Sequence, residues 1–302
     1  MIVRARRVNK WYRRVIALND LSLEIGPGIT GVLGPNGAGK TSFLRIVVGL
    51  TRPSSGSVEV LDAEPWNNPE LNLRLGYCPE HDGFWEWMTG RRFVETLARL
   101  RGRPRPREAA AEAIDRVRLA EQADRPIGGY SRGMRQRLKL AQAVVHRPAL
   151  LVLDEPLTGC DPTVRQDLIE LIRGFAKDGA SVLVSSHVLH EIEQLTRRIV
   201  VIHRGRLAAD GDVREIRDMI DRHPHEVRIA CERPRDLAAR LAREPEVVEL
   251  RLEDGAVIAR TSRPDVFYAK LPSAALETAG RVGGIESPDD NLEAVFRYLT
   301  ER

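Results

Sequence analysis

Cysteine is scarce in this chain. Cys78, Cys160 and Cys231 lie far apart and form no C-x-x-C pair, which argues against a disulfide framework and against zinc spacing. Histidine pairs at 187/190 and 223/225 have no cysteine or carboxylate constellation beside them, so no metal centre is indicated there. No apolar run approaches the roughly 18 residues of a membrane span. The N-terminus, MIVRARRVNK, does not lead into a signal-peptide core, and the expected location is cytoplasmic. Lysine occurs only at positions 10, 40, 139, 177 and 270, so the basic residues are almost all arginine. A net charge of +4 is modest and implies no nucleic-acid partner. Low-complexity tracts and internal repeats are absent. What remains is ordinary for a globular protein: 302 residues, 42% hydrophobic and 30% charged, enough for one large domain and a small one.

Against that background one stretch stands out. Gly34-Pro35-Asn36-Gly37-Ala38-Gly39-Lys40-Thr41 fits the phosphate-loop pattern G-x-x-x-x-G-K-[ST] without a mismatch. A chance match in a chain of this length has a probability on the order of one per cent. The flanks fit too. Ile29–Leu33 reads as a buried strand, and Phe43, Leu44, Ile46, Val47 and Leu50 recur at helical spacing. Glycines at 34, 37 and 39 let backbone N–H groups curl into a nest for phosphate oxygens, to which the following helix adds its positive end. Lys40 supplies charge to the outer phosphates, and the Thr41 hydroxyl is placed for Mg²⁺. This is a nucleoside-triphosphate site.

The rest of the chain supplies partners for it. Residues 2–24 read as strand-rich, with Trp11 and Tyr12 ahead of the loop. Tyr12 is either a purine-stacking ring or a partly buried strand aromatic. Strands are expected at 57–61 and 75–78. Thr89 can cap a helix carrying Phe93, Leu97 and Leu100 on one face, and 101–126 reads as a helix between proline-marked loops. The segment Phe84-Trp85-Glu86-Trp87-Met88 is either internal core or an apolar docking patch. Ser131 is a plausible N-cap, and Leu138, Ala141 and Val145 continue a helical stripe after it. The run 149–153 then ends in Asp154-Glu155, which suits a central parallel strand whose carboxyl end faces ligand. Asp154 is placed to hold Mg²⁺ and Glu155 to polarise a water. A strand at 181–184 leads to His187, within reach of a terminal phosphate, and 198–203 with 207–210 read as a hairpin.

Taken in order, these residues resemble the ATP-binding subunits of ABC transporters over roughly residues 2–218. The resemblance implies a P-loop NTPase fold: a RecA-like α/β core, an antiparallel β subdomain, and a helical subdomain at about 84–145. It implies ATP and Mg²⁺ as ligands. It assigns nucleotide contacts to Tyr12, Gly34, Pro35, Asn36, Gly37, Ala38, Gly39, Lys40, Thr41, Ser42, Ser131, Gly133 and Asp161. Metal contacts fall on Thr41, Glu80 and Asp154, and catalysis on Glu155 and His187. The chain departs from the family pattern at Glu80, where glutamine is usual, at Ser131-Arg132-Gly133-Met134, where SGGQ is usual, and at Cys160, where leucine is common. None of these removes a catalytic group.

YSRGMRQR and GYCPE resemble the exporters of the ABC-2 type, whose membrane subunit is a separate chain. The implied partners are that permease and a second ATP-binding subunit, with a homodimer favoured, at the cytoplasmic face of the plasma membrane. Two other classes stay in view. A soluble ABC ATPase would carry two cassettes or a long coiled coil, and another P-loop enzyme, such as a kinase, would lack the signature helix between Glu80 and Asp154. The domains are expected at 1–220 and 221–302. Within the second, strand, helix, strand, strand, helix and strand succeed one another over 226–286, suggesting a ferredoxin-like βαββαβ module. Asn291–Phe296 resembles a closing segment common in such subunits.

Overall fold

A computed structural model describes residues 1–214, 225–253 and 255–287. The chain divides into two compact units, Met1–Asp212 and Val213–Arg302. The expected boundary at 220/221 and the segment Asn291–Phe296 lie outside the described residues.

In chain order the first unit contains β1 (Val3–Tyr12), β2 (Val15–Ile25), β3 (Ile29–Leu33), α1 (Lys40–Val47), β4 (Ser55–Val60), α2 (Pro69–Asn72) and β5 (Leu75–Cys78). There follow α3 (Gly90–Leu100), α4 (Pro106–Arg116), α5 (Arg132–Val144), β6 (Leu150–Leu153), α6 (Pro162–Lys177), β7 (Ser181–Ser186), α7 (Leu189–Glu193), β8 (Arg198–His203) and β9 (Arg206–Asp212). The antiparallel sheet β2-β1-β4 puts Val3, Ala5 and Val8 of β1 into the core. Residues 5 and 8 differ in parity, and a register shift between them, with Arg7 at φ 45°, turns both inward.

The second sheet has the order β5-β6-β7-β3-β8-β9, parallel except for the closing β8–β9 hairpin. Leu150–Leu153 and Ser181–Ser186 are buried throughout, as strands covered on both faces must be. Phe43, Leu44, Ile46 and Val47 of α1 share one core with both sheets. Each fully buried apolar side chain contributes about 1.5–3 kcal/mol. This core fixes the helix that follows the phosphate loop.

Between β5 and β6 stand α3, α4 and α5, which pack on one another. Two expectations need correction here. Helix α3 buries Phe93, Val94 and Ala98, and Leu100 is 74% exposed. The inward arc is the one that packs on α4 and α5. Likewise 101–126 is α-helical only over α4, Pro106–Arg116, and the rest is loop with a short 3₁₀ turn at Ala120–Gln122. Phe84 and Trp85 meet Phe93 edge-on at 5.1 and 6.0 Å and Met88 is buried, while Trp87 and the uncovered half of Trp85 face outward. The aromatic segment is thus half core and half surface. No helix among the described residues is long and apolar enough to cross a membrane.

The second unit contains β10 (His225–Cys231), α8 (Pro234–Leu241), β11 (Val247–Glu253), β12 (Ala256–Thr261), α9 (Pro264–Thr278) and β13 (Val282–Glu286). Its sheet has the order β11-β12-β10-β13, with all neighbours antiparallel. Val227, Ile229, Val257 and Ala259 meet Leu237, Leu241, Phe267 and Leu271 of the two helices. On the opposite face Arg251 pairs with Glu226 at 2.8 Å and Arg260 with Glu249 at 3.0 Å, around a buried Ile258. The period-2 pattern therefore separates a covered face from a charged one.

Candidate functional site

Strand β7 lies between β3 and β6, so three strand ends converge. Parallel register sets Leu33 beside Ser186 and Leu153 beside Val184. The phosphate loop, Asp154-Glu155 and His187 therefore leave the sheet side by side, at its carboxyl edge.

The loop is held open by backbone packing. Gly39 has φ 105°, and a Cβ there would fall 2.3 Å from the Ala17 carbonyl oxygen. At Gly34 a Cβ would fall 2.3 Å from the Ile202 carbonyl oxygen. Neither position admits a larger residue without displacing a neighbouring strand. Helix α1 begins at Lys40 with no side-chain cap, which leaves its first N–H groups free for an anion.

Lys40 is buried and folded back on its own loop. Its Nζ donates to the carbonyls of Gly34 at 2.6 Å and Pro35 at 3.2 Å, and pairs with Glu155 Oε1 at 3.1 Å. The other oxygen, Glu155 Oε2, accepts from Thr158 Oγ1 at 2.8 Å and lies 2.9 Å from His187 Nδ1. Burial alone would raise the Glu155 carboxyl. The Lys40 charge, with hydrogen bonds from His187, Thr158 and Lys40, outweighs burial and holds it below its ordinary value. Glu155 also sits at φ 49°, a left-handed conformation that costs a non-glycine residue about 1–3 kcal/mol. The surrounding bonds hold it there.

Asp154 behaves oppositely. Burial pushes its carboxyl up, the charges of Glu80 and Glu155 add to this, and hydrogen bonds from Ser185 and Thr41 oppose it. Its Oδ1 accepts from Ser185 Oγ at 2.8 Å and Thr41 Oγ1 at 3.2 Å. Its Oδ2 is buried without a partner. Among the described residues no cluster of three or more His, Cys, Asp or Glu could hold a metal ion. A hard cation held by one carboxylate, a hydroxyl and the phosphates of a nucleotide requires no such cluster, and the orphaned Oδ2 of a carboxylate whose other oxygen bonds Thr41 fits one.

The remaining expected residues are distributed around this cluster. Tyr12 ends β1, 41% exposed, with Lys10 Nζ 4.9 Å above its ring. Glu80 is exposed just beyond β5, and its backbone carbonyl accepts from Lys139 Nζ at 2.8 Å. Ser131 caps α5, its Oγ accepting from Met134 N at 3.3 Å, and a Cβ at Gly133 would meet Val164 at 3.0 Å. Asp161 caps α6 in the same way, accepting from Val164 N at 3.0 Å. No hydrogen bond joins Ser131, Gly133 or Asp161 to the phosphate loop of this copy.

Four contributors were missed from sequence. Ser185 bonds Asp154 and also accepts from the Glu155 backbone N–H at 2.9 Å. Thr158 holds Glu155. Gln136 of α5 donates to the Pro156 carbonyl, and Glu191 accepts from Ser186 Oγ at 2.7 Å beside His187. Only the Ser-Ser-His run hinted at any of these.

A phosphate loop on β3 with an acidic pair ending a parallel strand two places away defines a P-loop nucleoside triphosphatase. Its relatives narrow the class. The chain belongs to the ATP-binding proteins of ABC transporters, and members of this family are ATPases that dimerise and work with transmembrane components. The ABC transporter family matches residues 18–158. DrrA, the daunorubicin/doxorubicin resistance ATP-binding protein of Streptomyces peucetius, is 34% identical over 266 residues, 87% of this chain and 78% of that protein. Nod factor export ATP-binding protein I of Cupriavidus metallidurans is 32% identical over 320 residues, 100% of this chain and 98% of that one. Among solved structures, a post-hydrolysis dimer of the cassette MJ0796 bound to ADP and Pi matches with a TM-score of 0.65. It is 21% identical and covers 70% of this chain and 99% of its own.

Proposed function

We propose that this chain is the ATP-driven subunit of an exporter, clamping head to tail with a second copy around two nucleotides and driving a separate membrane permease. The observation that carries the reading is the bonded cluster of Lys40, Thr41, Asp154, Glu155 and His187 at three adjacent strand ends. The export-type relatives support the direction of transport. The absence of any bond from Ser131 to its own loop supports a composite site.

In this reading residues 34–42 wrap the phosphates with backbone N–H groups, and Lys40 leaves Glu155 for the outer phosphate. Tyr12 stacks on the base. Glu155, released from Lys40, accepts a proton from the attacking water, and His187 stays bonded to its Oε2. Thr41, Asp154 and Glu80 would hold Mg²⁺, which would supply charge neutralisation on the phosphates. Ser131, Gly133 and Asp161 meet the nucleotide of the other copy. Contacts made only in the closed dimer are what let ATP act as a switch. A shift from 1:99 to 99:1 requires ~5.5 kcal/mol of differential binding, within the range of several charge-assisted hydrogen bonds.

The C-terminal unit is read as a ferredoxin-like module, and the protein is placed on the cytoplasmic face of the membrane beside its permease. The outward Trp85 and Trp87 are the proposed docking point for that permease. The test is Glu155→Gln. With Mg-ATP it is expected to sediment as a dimer and to hydrolyse almost nothing. Turnover equal to that of the unmodified protein overturns the assignment.

A further inference from the structure

We propose that Arg132 is a positioning residue. It straps the signature helix to the turn that holds the Glu155 carboxylate of the same copy, so that engagement of Ser131 at one nucleotide is felt by the base at the other. This rests on the head-to-tail reading above.

Position 132 is where the family usually has glycine. Here a long side chain leaves the first residue of α5, and its Nη2 donates to the Thr158 carbonyl at 3.2 Å. The guanidinium lies directly over Gly159, where a Cβ would overlap it. Gly159 has φ 67°, so this turn suits a residue without a side chain on both counts. One helical turn further along the same face, Gln136 donates to the Pro156 carbonyl. Two side chains spaced i and i+4 thus bind the two sides of one short turn.

That turn ends at the base. Thr158 presents its carbonyl to Arg132 and its hydroxyl to Glu155 Oε2, at 2.8 Å. Gln136 is buried and holds the turn in any case. Arg132 is exposed and acts at the end of the helix that carries Ser131. A movement of that end therefore pulls on Thr158 and alters the hydrogen bond on Glu155. With glycine at 132 the outer strap would be missing, and the helix end could move without the turn.

The experiment is a double-mutant cycle on ATP turnover by the full chain, with Arg132→Ala, Thr158→Val and the double variant. Each single change is expected to lower kcat about three- to tenfold with KM within about twofold. The double variant should be no slower than the worse single, the sign of two groups on one path. The parent's rate is expected to rise cooperatively with ATP and that of Arg132→Ala without cooperativity. Multiplying losses overturn the proposal, as does unchanged kcat. A raised KM with kcat preserved overturns it as well, since that marks direct contact between Arg132 and phosphate. Sedimentation of Glu155→Gln with Mg-ATP is read separately. Failure to dimerise there counts against the head-to-tail reading, whereas the cycle tests the strap itself.

Discussion

Lys40 and Glu155 face each other at 3.1 Å, both almost wholly shielded from water. In the proposed mechanism both turn to the nucleotide, and without it they neutralise one another. Removing one member of a buried pair costs more than the pair contributes, because the survivor is left unbalanced. Lys40 keeps two carbonyl acceptors, so Glu155→Gln is expected to cost the nucleotide-free protein about 1–3 kcal/mol. At 2–4 °C per kcal/mol for a large domain, Tm falls by roughly 2–12 °C. Mg-ATP supplies Lys40 with phosphate and should raise Tm more in the variant than in the parent. Calorimetry with and without nucleotide checks both. A variant at least as stable as the parent without nucleotide would refute the first expectation.

Asp154 predicts the opposite sign. Its carboxylate is charged against the burden of burial, with one oxygen unpartnered. Asp154→Asn removes that charge while keeping an acceptor for Ser185 and Thr41. The nucleotide-free protein should gain about 1 kcal/mol, as expected when a buried unpaired charge is neutralised. Turnover with Mg-ATP should nevertheless collapse. Thermal melts and a phosphate-release assay decide the matter, and a loss of stability would contradict the account.

How far the sequence reached depended on how local each signal was. The phosphate loop was legible because its glycines, Lys40 and Thr41 are contiguous and flanked by a strand and a helix. The second unit's elements were legible from alternation, to within one or two residues at most ends. Ser185 and Thr158 were not, because their roles arise from parallel register and a turn, neither of which has a residue pattern. Leu100 misled for a related reason: helical spacing gives a face, and packing against two neighbours chooses its direction. Arg132 registered only as a departure from a family pattern, and its contact with Thr158 emerged from the fold.

His146 makes stability depend on pH. Burial, reinforced by Arg101, lowers its pKa to about 4, despite a hydrogen bond to the Leu75 carbonyl at 2.9 Å. The neutral form is the one that folds. Between pH 4 and the ordinary value near 6.5 the unfolded chain binds the extra proton, so stability rises with pH across that window. Its contribution is complete above about pH 6.5 and lost as pH falls towards 4. One pKa unit is ~1.4 kcal/mol, so acidification from pH 7 to 5 should cost about 2 kcal/mol through this residue alone. His146→Gln can keep a donor for Leu75 without the titration. Denaturant melts at the two pH values should show a smaller difference for the variant, and equal differences would remove His146 from the account.

Tyr12 tests the base-stacking role through a neighbour that shares its exposure but not its direction. Trp11 and Tyr12 are consecutive in β1, exposed by 48% and 41%, and successive strand residues point to opposite faces. The ring of Tyr12 carries Lys10 at 4.9 Å, and the paired strand β2 runs on to Ala17, which packs against Gly39 of the phosphate loop. A stacked base is worth ~1–3 kcal/mol, so Tyr12→Ala should raise KM for ATP about tenfold or more while leaving kcat nearly unchanged. Tyr12→Phe keeps the stacking face and should stay within about twofold of the parent. Trp11→Ala, on the opposite face, should leave KM alone. Should Trp11→Ala raise KM and Tyr12→Ala not, the stacking residue is the tryptophan.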